Sequence, residues 1–114
     1  MNPGEIHLTS FPFGGKVVGA KTRPALLLTG PLGTFPEVLA AYITTVFPLV
    51  LLPTDIVLDP RRPDHRGIGL KKRSLLRLHR LVTVHQASLL RYLGKVSAVT
   101  QSDVEKKLRL LLKL

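Results

Sequence analysis

Cysteine is absent from the 114-residue chain, so disulfides and thiolate metal sites are excluded and a reducing compartment is compatible. Acidic residues are scarce, 7 against 17 Lys and Arg, which leaves a formal net charge of +10. No carboxylates pair at a useful spacing and no Ser has a nucleophile's partners, so glycosidase and triad-hydrolase chemistry find no support. Aromatics are confined to Phe11, Phe13, Phe35, Tyr42, Phe47 and Tyr92. Long apolar runs are missing: the greasiest segment, residues 38–52, holds Thr44, Thr45 and Pro48 and falls short of the roughly 20 apolar residues of a spanning helix. Met1-Asn2-Pro3-Gly4-Glu5 has neither the basic nor the apolar region of a signal peptide. These absences predict a cytoplasmic protein without membrane contact.

What is present is apolar and basic at once. Hydrophobic residues make up 45% of the chain, more than one small core hides, which predicts a subunit interface and most simply a two-fold dimer. The positive charge predicts a polyanionic partner, either nucleic acid or an acidic protein. The length suits one domain spanning residues 1–114.

The pattern along the chain is mainly β with a C-terminal helix, an α+β chain. Residues 5–10 alternate as a half-buried first strand. Residues 13–20 form a loop in which Gly14 and Gly19 have P-loop separation. Ala20 stands where that motif needs Lys, so nucleotide binding is set aside. A second strand covers residues 23–29, with Pro24 near its start and the cations Lys21 and Arg23 where the loop enters the sheet. A third strand covers 37–45, with Tyr42 and Thr44 on one face. Residues 47–53 read as an extended edge or interface segment, 54–59 as a fourth strand, and 60–69 as a mobile loop rich in Pro, Gly and charge. In the fifth strand, 74–84, Leu76 and Leu78 take the core face, which turns Arg77 and His79 together to the wetter one. A helical turn near 87–92 and a short strand over 93–97 follow. Ser102 to Glu105 reads as a capping box before an apolar stripe of Val104, Leu108, Leu111 and Leu112.

Eight cations fall between Arg61 and Arg80: Arg61, Arg62, Arg66, Lys71, Lys72, Arg73, Arg77 and Arg80. With Lys16, Lys21 and Phe13 of the glycine loop, Arg61, Arg62, Arg66, Lys71, Lys72 and Arg73 are the candidate RNA-binding residues, cations for phosphates and a ring for a base. Phe11 and Phe13 are placed to bracket a base. His7, His65 and His85 show no ligand spacing, so neither a metal nor a cofactor is expected.

Taken in order, residues 5–13, the run Lys21-Thr22-Arg23-Pro24-Ala25-Leu26-Leu27-Leu28, the stretch Ala40-Ala41-Tyr42-Ile43-Thr44-Thr45, residues 70–84 and the C-terminal helix resemble the MazF/PemK/Kid toxins of bacterial toxin–antitoxin pairs. The resemblance covers nearly the whole chain. It implies an SH3-like small antiparallel barrel that forms a homodimer, and a metal-independent endoribonuclease cleaving single-stranded RNA by 2′-hydroxyl attack. It further implies a cognate antitoxin with an acidic tail, and operator DNA as a partner only of the toxin–antitoxin complex. The Arg of the family's Arg-Pro entry and its third-strand Thr map onto Arg23 and Thr44, with Thr45 as the alternative one register away. The Kid-like branch adds a fifth-strand Arg-x-Asp, where this chain has Arg77-Leu78-His79. Imidazole is a competent base near neutrality, so His79 takes the place of the missing carboxylate in this reading. The alternatives are a catalytically impaired barrel that holds RNA or antitoxin without cutting and, from the same fold, a gyrase-poisoning toxin, against which the basic loop argues.

Overall fold

The fold was analysed in a computed structural model, which describes residues 1–11 and 21–114. Six strands, β1 Glu5–Phe11, β2 Lys21–Leu27, β3 Glu37–Thr44, β4 Asp55–Leu58, β5 Ser74–His85 and β6 Leu89–Lys95, precede the helix α1 Ala98–Leu112. They form one antiparallel sheet in the order β4-β5-β3-β2-β1-β6. The expected class, mainly antiparallel β with one C-terminal helix, is the one observed.

Side chains alternate between two buried layers. Ile6, Leu26, Ile43, Ile56, Leu76 and Leu78 face one layer together with Val104 of α1. Phe11, Ala25, Leu27, Val38, Ala40 and Val84 face the other. The sheet is rolled, because residues 67–69, which follow edge strand β4, run against the opposite edge, β6. Lys95 N–H donates to the Gly67 carbonyl at 2.8 Å, and a Cβ on Gly69 or Gly94 would collide with the backbone across this seam. Only glycine permits so close an approach, and Gly69 also has a φ of +72°. No described helix is long and apolar enough to cross a membrane.

Several boundaries differ from expectation. β2 starts earlier than residue 23 and ends at Leu27, before residue 29, which puts Lys21 as well as Arg23 inside the strand. The predicted helical turn at 87–92 is a shorter 3-10 turn, Gln86–Ser88, and the strand expected over 93–97 begins at Leu89. The helix is capped by Ser97, whose hydroxyl accepts from Thr100 N–H at 3.2 Å, so Ser102 lies within the helix and the predicted capping box does not form. Both serines offer an N-cap oxygen, and nothing between them interrupts a helix begun at the first. On α1 Val104 is buried and Leu108 and Leu111 pack on the core, but Leu112 is exposed and leaves the predicted stripe. Residues 60–69 are better tied than expected. Pro63–His65 is a 3-10 turn, His65 is buried with its Nδ1 accepting from Asp59 N–H at 2.9 Å, and Ile68 is in the core. The glycine loop of residues 13–20, including Phe13 and Lys16, lies outside the described residues.

Candidate active site

The β2–β3 ladder runs from Leu27–Ala40 to Ala25–Tyr42, and Pro24, next in line, has no N–H with which to extend it. Counting two residues outward along both strands from that last pair arrives at Arg23 and Thr44. Both therefore belong to the same face and the same end of the sheet, the face of Ala25 and Tyr42. On the other side of β3, Tyr42 pairs with Arg77 and Thr44 with Leu75, which brings Arg77 to this face as well.

Thr44 and Arg77 line one cleft of about 330 Å³ together with Tyr42, Val46, Phe47, Pro48 and Arg80. The Thr44 hydroxyl oxygen accepts from Val46 N–H at 3.1 Å, which fixes its position and leaves its own proton to donate. Thr45 is exposed and does not line the cleft, so the register favours Thr44. Arg23 is half-buried, and its one described contact is a long hydrogen bond of 3.4 Å to the Thr22 carbonyl. Among the described residues no carboxylate lies within ion-pairing distance of it.

Arg77 is held differently. Its Nε and Nη2 donate to the two oxygens of Asp55 at 3.1 and 3.2 Å, and the Asp55 side chain is fully buried. Asp55 also accepts from Leu52 N–H at 2.8 Å. Sequence reasoning missed Asp55; the only available signal was that it is one of so few acids, at the head of a short strand.

The expectation for His79 needs correcting in its geometry. The β3–β5 register jumps from Ala41–Leu81 to Tyr42–Arg77, so Leu78, His79 and Arg80 intervene on β5 where nothing intervenes on β3. Strict alternation is lost in this bulge. Leu78 keeps the core face, and Arg80 reaches over the Tyr42 ring with its Cζ 5.7 Å from the centroid. His79 is exposed and does not line the cleft that Arg77 lines. It is nonetheless the one histidine whose ring nitrogens are both unengaged among the described residues. His7 bonds Glu5, His65 accepts from Asp59 N–H, and His85 accepts from Ala87 N–H.

The basic cluster divides in two. Arg61 makes paired bonds to Asp59 at 3.2 and 3.1 Å, and Arg62 to Asp64 at 3.1 and 2.9 Å. Lys21, Arg66, Lys71, Lys72 and Arg73 are exposed and make no described ion pair. The Asp59 carboxyl is held below the usual carboxylate range by the Arg61 side chain and backbone N–H, and burial opposes this only in part. Phe11 is buried in the second layer rather than free to clasp a base. A larger cleft of about 780 Å³ between β4, the Pro63–His65 turn and α1 is lined by both signs of charge and by none of the predicted catalytic residues.

The segment between β3 and β4 shows the predicted apolar character without forming a strand. Val46, Leu49 and Val50 are 76%, 106% and 80% exposed, a cost in water that a covering surface would remove.

Comparison with known proteins agrees with this architecture. An endoribonuclease from a Mycobacterial species, solved with its cognate antitoxin, superposes with a TM-score of 0.73 at 20% identity, over 100% of this chain and 96% of the other. The Mycobacterium tuberculosis toxin MazF-mt6 superposes at 0.72 with 24% identity, covering 96% and 97%. MazF from Deinococcus radiodurans does so at 0.71 with 17% identity, covering 100% and 97%. At such identities the superpositions establish the fold. No curated protein matches the sequence. The profile of one family spans residues 2–112, and by that match the chain belongs to the PemK-like, MazF-like toxins of type II toxin–antitoxin systems.

Proposed function

We propose that this protein is a metal-independent endoribonuclease that cuts single-stranded RNA and is neutralised by a cognate antitoxin. The observation that carries the reading is the shared face: Thr44 and Arg77 line one cleft, and Arg23 stands at the same end of the same sheet face. In the step envisaged, the ribose 2′-oxygen attacks the adjacent phosphorus and the bond to the 5′-oxygen breaks. The 2′-proton leaves to a base and a proton from solvent water reaches the departing 5′-oxygen, giving a 2′,3′-cyclic phosphate and a 5′-hydroxyl.

Arg23, without a carboxylate partner, is the cation for the pentacoordinate phosphate, where a planar fork donates to two oxygens. Thr44 donates its hydroxyl proton to a phosphate oxygen. Arg77 is a fixed positive wall of the cleft, its two engaged nitrogens committed to Asp55. That commitment argues against Arg77 as a proton donor and leaves it an electrostatic role. His79 is the base in this reading, with the scissile nucleotide laid across the β5 bulge. The exposed cations Lys21, Arg66, Lys71, Lys72 and Arg73, together with Lys16 and Phe13 of the glycine loop, guide the strand. The exposed Val46, Leu49, Val50, Leu51 and Leu52 support a homodimer, and the net positive charge supports an acidic antitoxin segment.

One observation favours a second reading, a barrel that binds without cutting: the position on β5 that reaches into the cleft beyond Arg77 is filled by Arg80 and not by a base. Incubating RNA with the protein in excess chelator, beside Arg23→Ala, separates the two. Fragments ending in a cyclic phosphate that require Arg23 establish cleavage, and intact RNA with retained binding establishes the second reading.

A further inference from the structure

Two arginine–aromatic pairs bracket Thr44 along the chain. Upstream by two residues, the Tyr42 ring lies under Arg80 at 5.7 Å; downstream by three, the Phe47 ring lies under Arg73 at 4.4 Å. Both separations are within cation–π range. Both rings line the cleft of Thr44 and Arg77, and both are only partly buried. Beyond Tyr42 the surface continues into a second cleft of about 330 Å³, lined by Phe11, Tyr42, Arg80, Leu81 and Val82, which is mainly apolar. Neither Arg73 nor Arg80 has a carboxylate within ion-pairing distance among the described residues, unlike Arg61 and Arg62.

A cation beside a flat ring, present twice along the cleft that Thr44 lines, offers the two kinds of contact that a single nucleic-acid strand takes. Phosphates meet guanidinium groups while bases stack on rings or on the guanidinium planes themselves. A duplex, with its bases already stacked, has no such faces to offer. We infer that Tyr42 with Arg80 and Phe47 with Arg73 are the two base-stacking subsites for the nucleotides flanking the phosphate held at Thr44 and Arg77. The inference rests on the ribonuclease reading for the position of that phosphate. It assigns base contact to Tyr42 and Phe47, and Arg80 enters the site because the β5 bulge turns it there.

A dinucleoside monophosphate has one phosphate and two bases, so its register is fixed, and 2′-fluoro sugars deny it the attacking hydroxyl. The protein has no Trp, four Phe and two Tyr, which makes its aromatic NMR spectrum sparse. Titrating the wild-type protein with the 2′-fluoro dinucleotides should shift the ring signals of both Tyr42 and Phe47. Replacing one base by an abasic sugar should abolish the shift of one ring only and weaken binding about tenfold, in line with the cost of losing one stacked base. Ring signals that do not move, or that move equally with the doubly abasic compound, overturn the assignment. Cleavage of longer RNA is scored separately. Fragments with unmoved rings remove the subsites and leave the ribonuclease; base-dependent ring shifts without fragments keep the subsites and remove the ribonuclease.

Discussion

Arg77 and Asp55, 22 residues apart in sequence, are joined by two hydrogen bonds across the β4–β5 pair, with the carboxylate wholly out of water. Removing Arg77 strands a buried charge whose one remaining described side-chain bond is from Leu52 N–H. Arg77→Ala should therefore lower unfolding free energy by about 3 kcal/mol in urea melts. Asp55→Asn, which keeps the shape, should cost less, since Arg77 retains some solvent. Equal, small losses would mean that the pair is solvated in solution. Any activity defect of Arg77→Ala has to be read at a temperature where the variant is still folded.

Arg23 offers the cleaner test. With no carboxylate to abandon, Arg23→Ala should change stability by no more than about 0.5 kcal/mol. If Arg23 stabilises the phosphorane, cleavage should fall about 10²- to 10³-fold, mostly in kcat. A rate unchanged in a fully folded Arg23→Ala protein removes Arg23 from the chemistry.

Those two arginines mark what the sequence made legible. Arg23 could be placed because β2 and β3 are regular up to Pro24, and residues paired in a regular antiparallel ladder keep their face. Leu76 and Leu78 were correctly put in the core by the same alternation. The rule failed two residues later, because a bulge adds residues to one strand without any signature in hydropathy, and so Arg80 and not His79 reached the Tyr42 ring. Asp55 was illegible for another reason: a long-range ion pair depends on which strands become neighbours. The early start of α1 turned on a choice between two equivalent serines. The seam at Gly67, Gly69 and Gly94 gave a signal, three glycines, whose meaning needed the rolled sheet.

Charge counting gives a third prediction. Each phosphate contact by a cation on single-stranded nucleic acid contributes roughly 0.7 to the slope of log affinity against log salt. Lys71 and Lys72 are exposed without described acidic partners, so Lys71→Ala with Lys72→Ala should flatten the slope by about 1.4. Arg61 and Arg62 are already paired with Asp59 and Asp64, and replacing both should change the slope far less. RNA binding measured between low and moderate salt distinguishes the pairs; equal effects would show that these salt bridges open when RNA binds.

The same Asp59–Arg61 contact predicts an acid-side effect on stability. Because the folded carboxyl titrates below its unfolded value, its contribution is present above about pH 4 and is lost as pH falls through the depressed folded value. Asp59→Asn should thus lower Tm at pH 7, and the gap to the wild type should close as the pH drops well below 4. A gap independent of pH would assign the role of Asp59 to backbone hydrogen bonding alone.

The role proposed for His79 as the base can be tested by substitution. Every other histidine is committed to a hydrogen bond within the fold, and a base that must accept the 2′-proton needs an unengaged nitrogen. If His79 does that work, His79→Ala should reduce kcat about 10²- to 10⁴-fold and alter the pH–rate profile. Stability should be nearly unchanged, since the side chain is exposed on the bulge. RNA affinity measured with uncleavable substrate should also persist, because the exposed cations and the cleft remain. A variant that cuts at the wild-type rate with the wild-type profile would move the proton to another acceptor and leave Arg80, not His79, as the residue through which the β5 bulge serves the cleft.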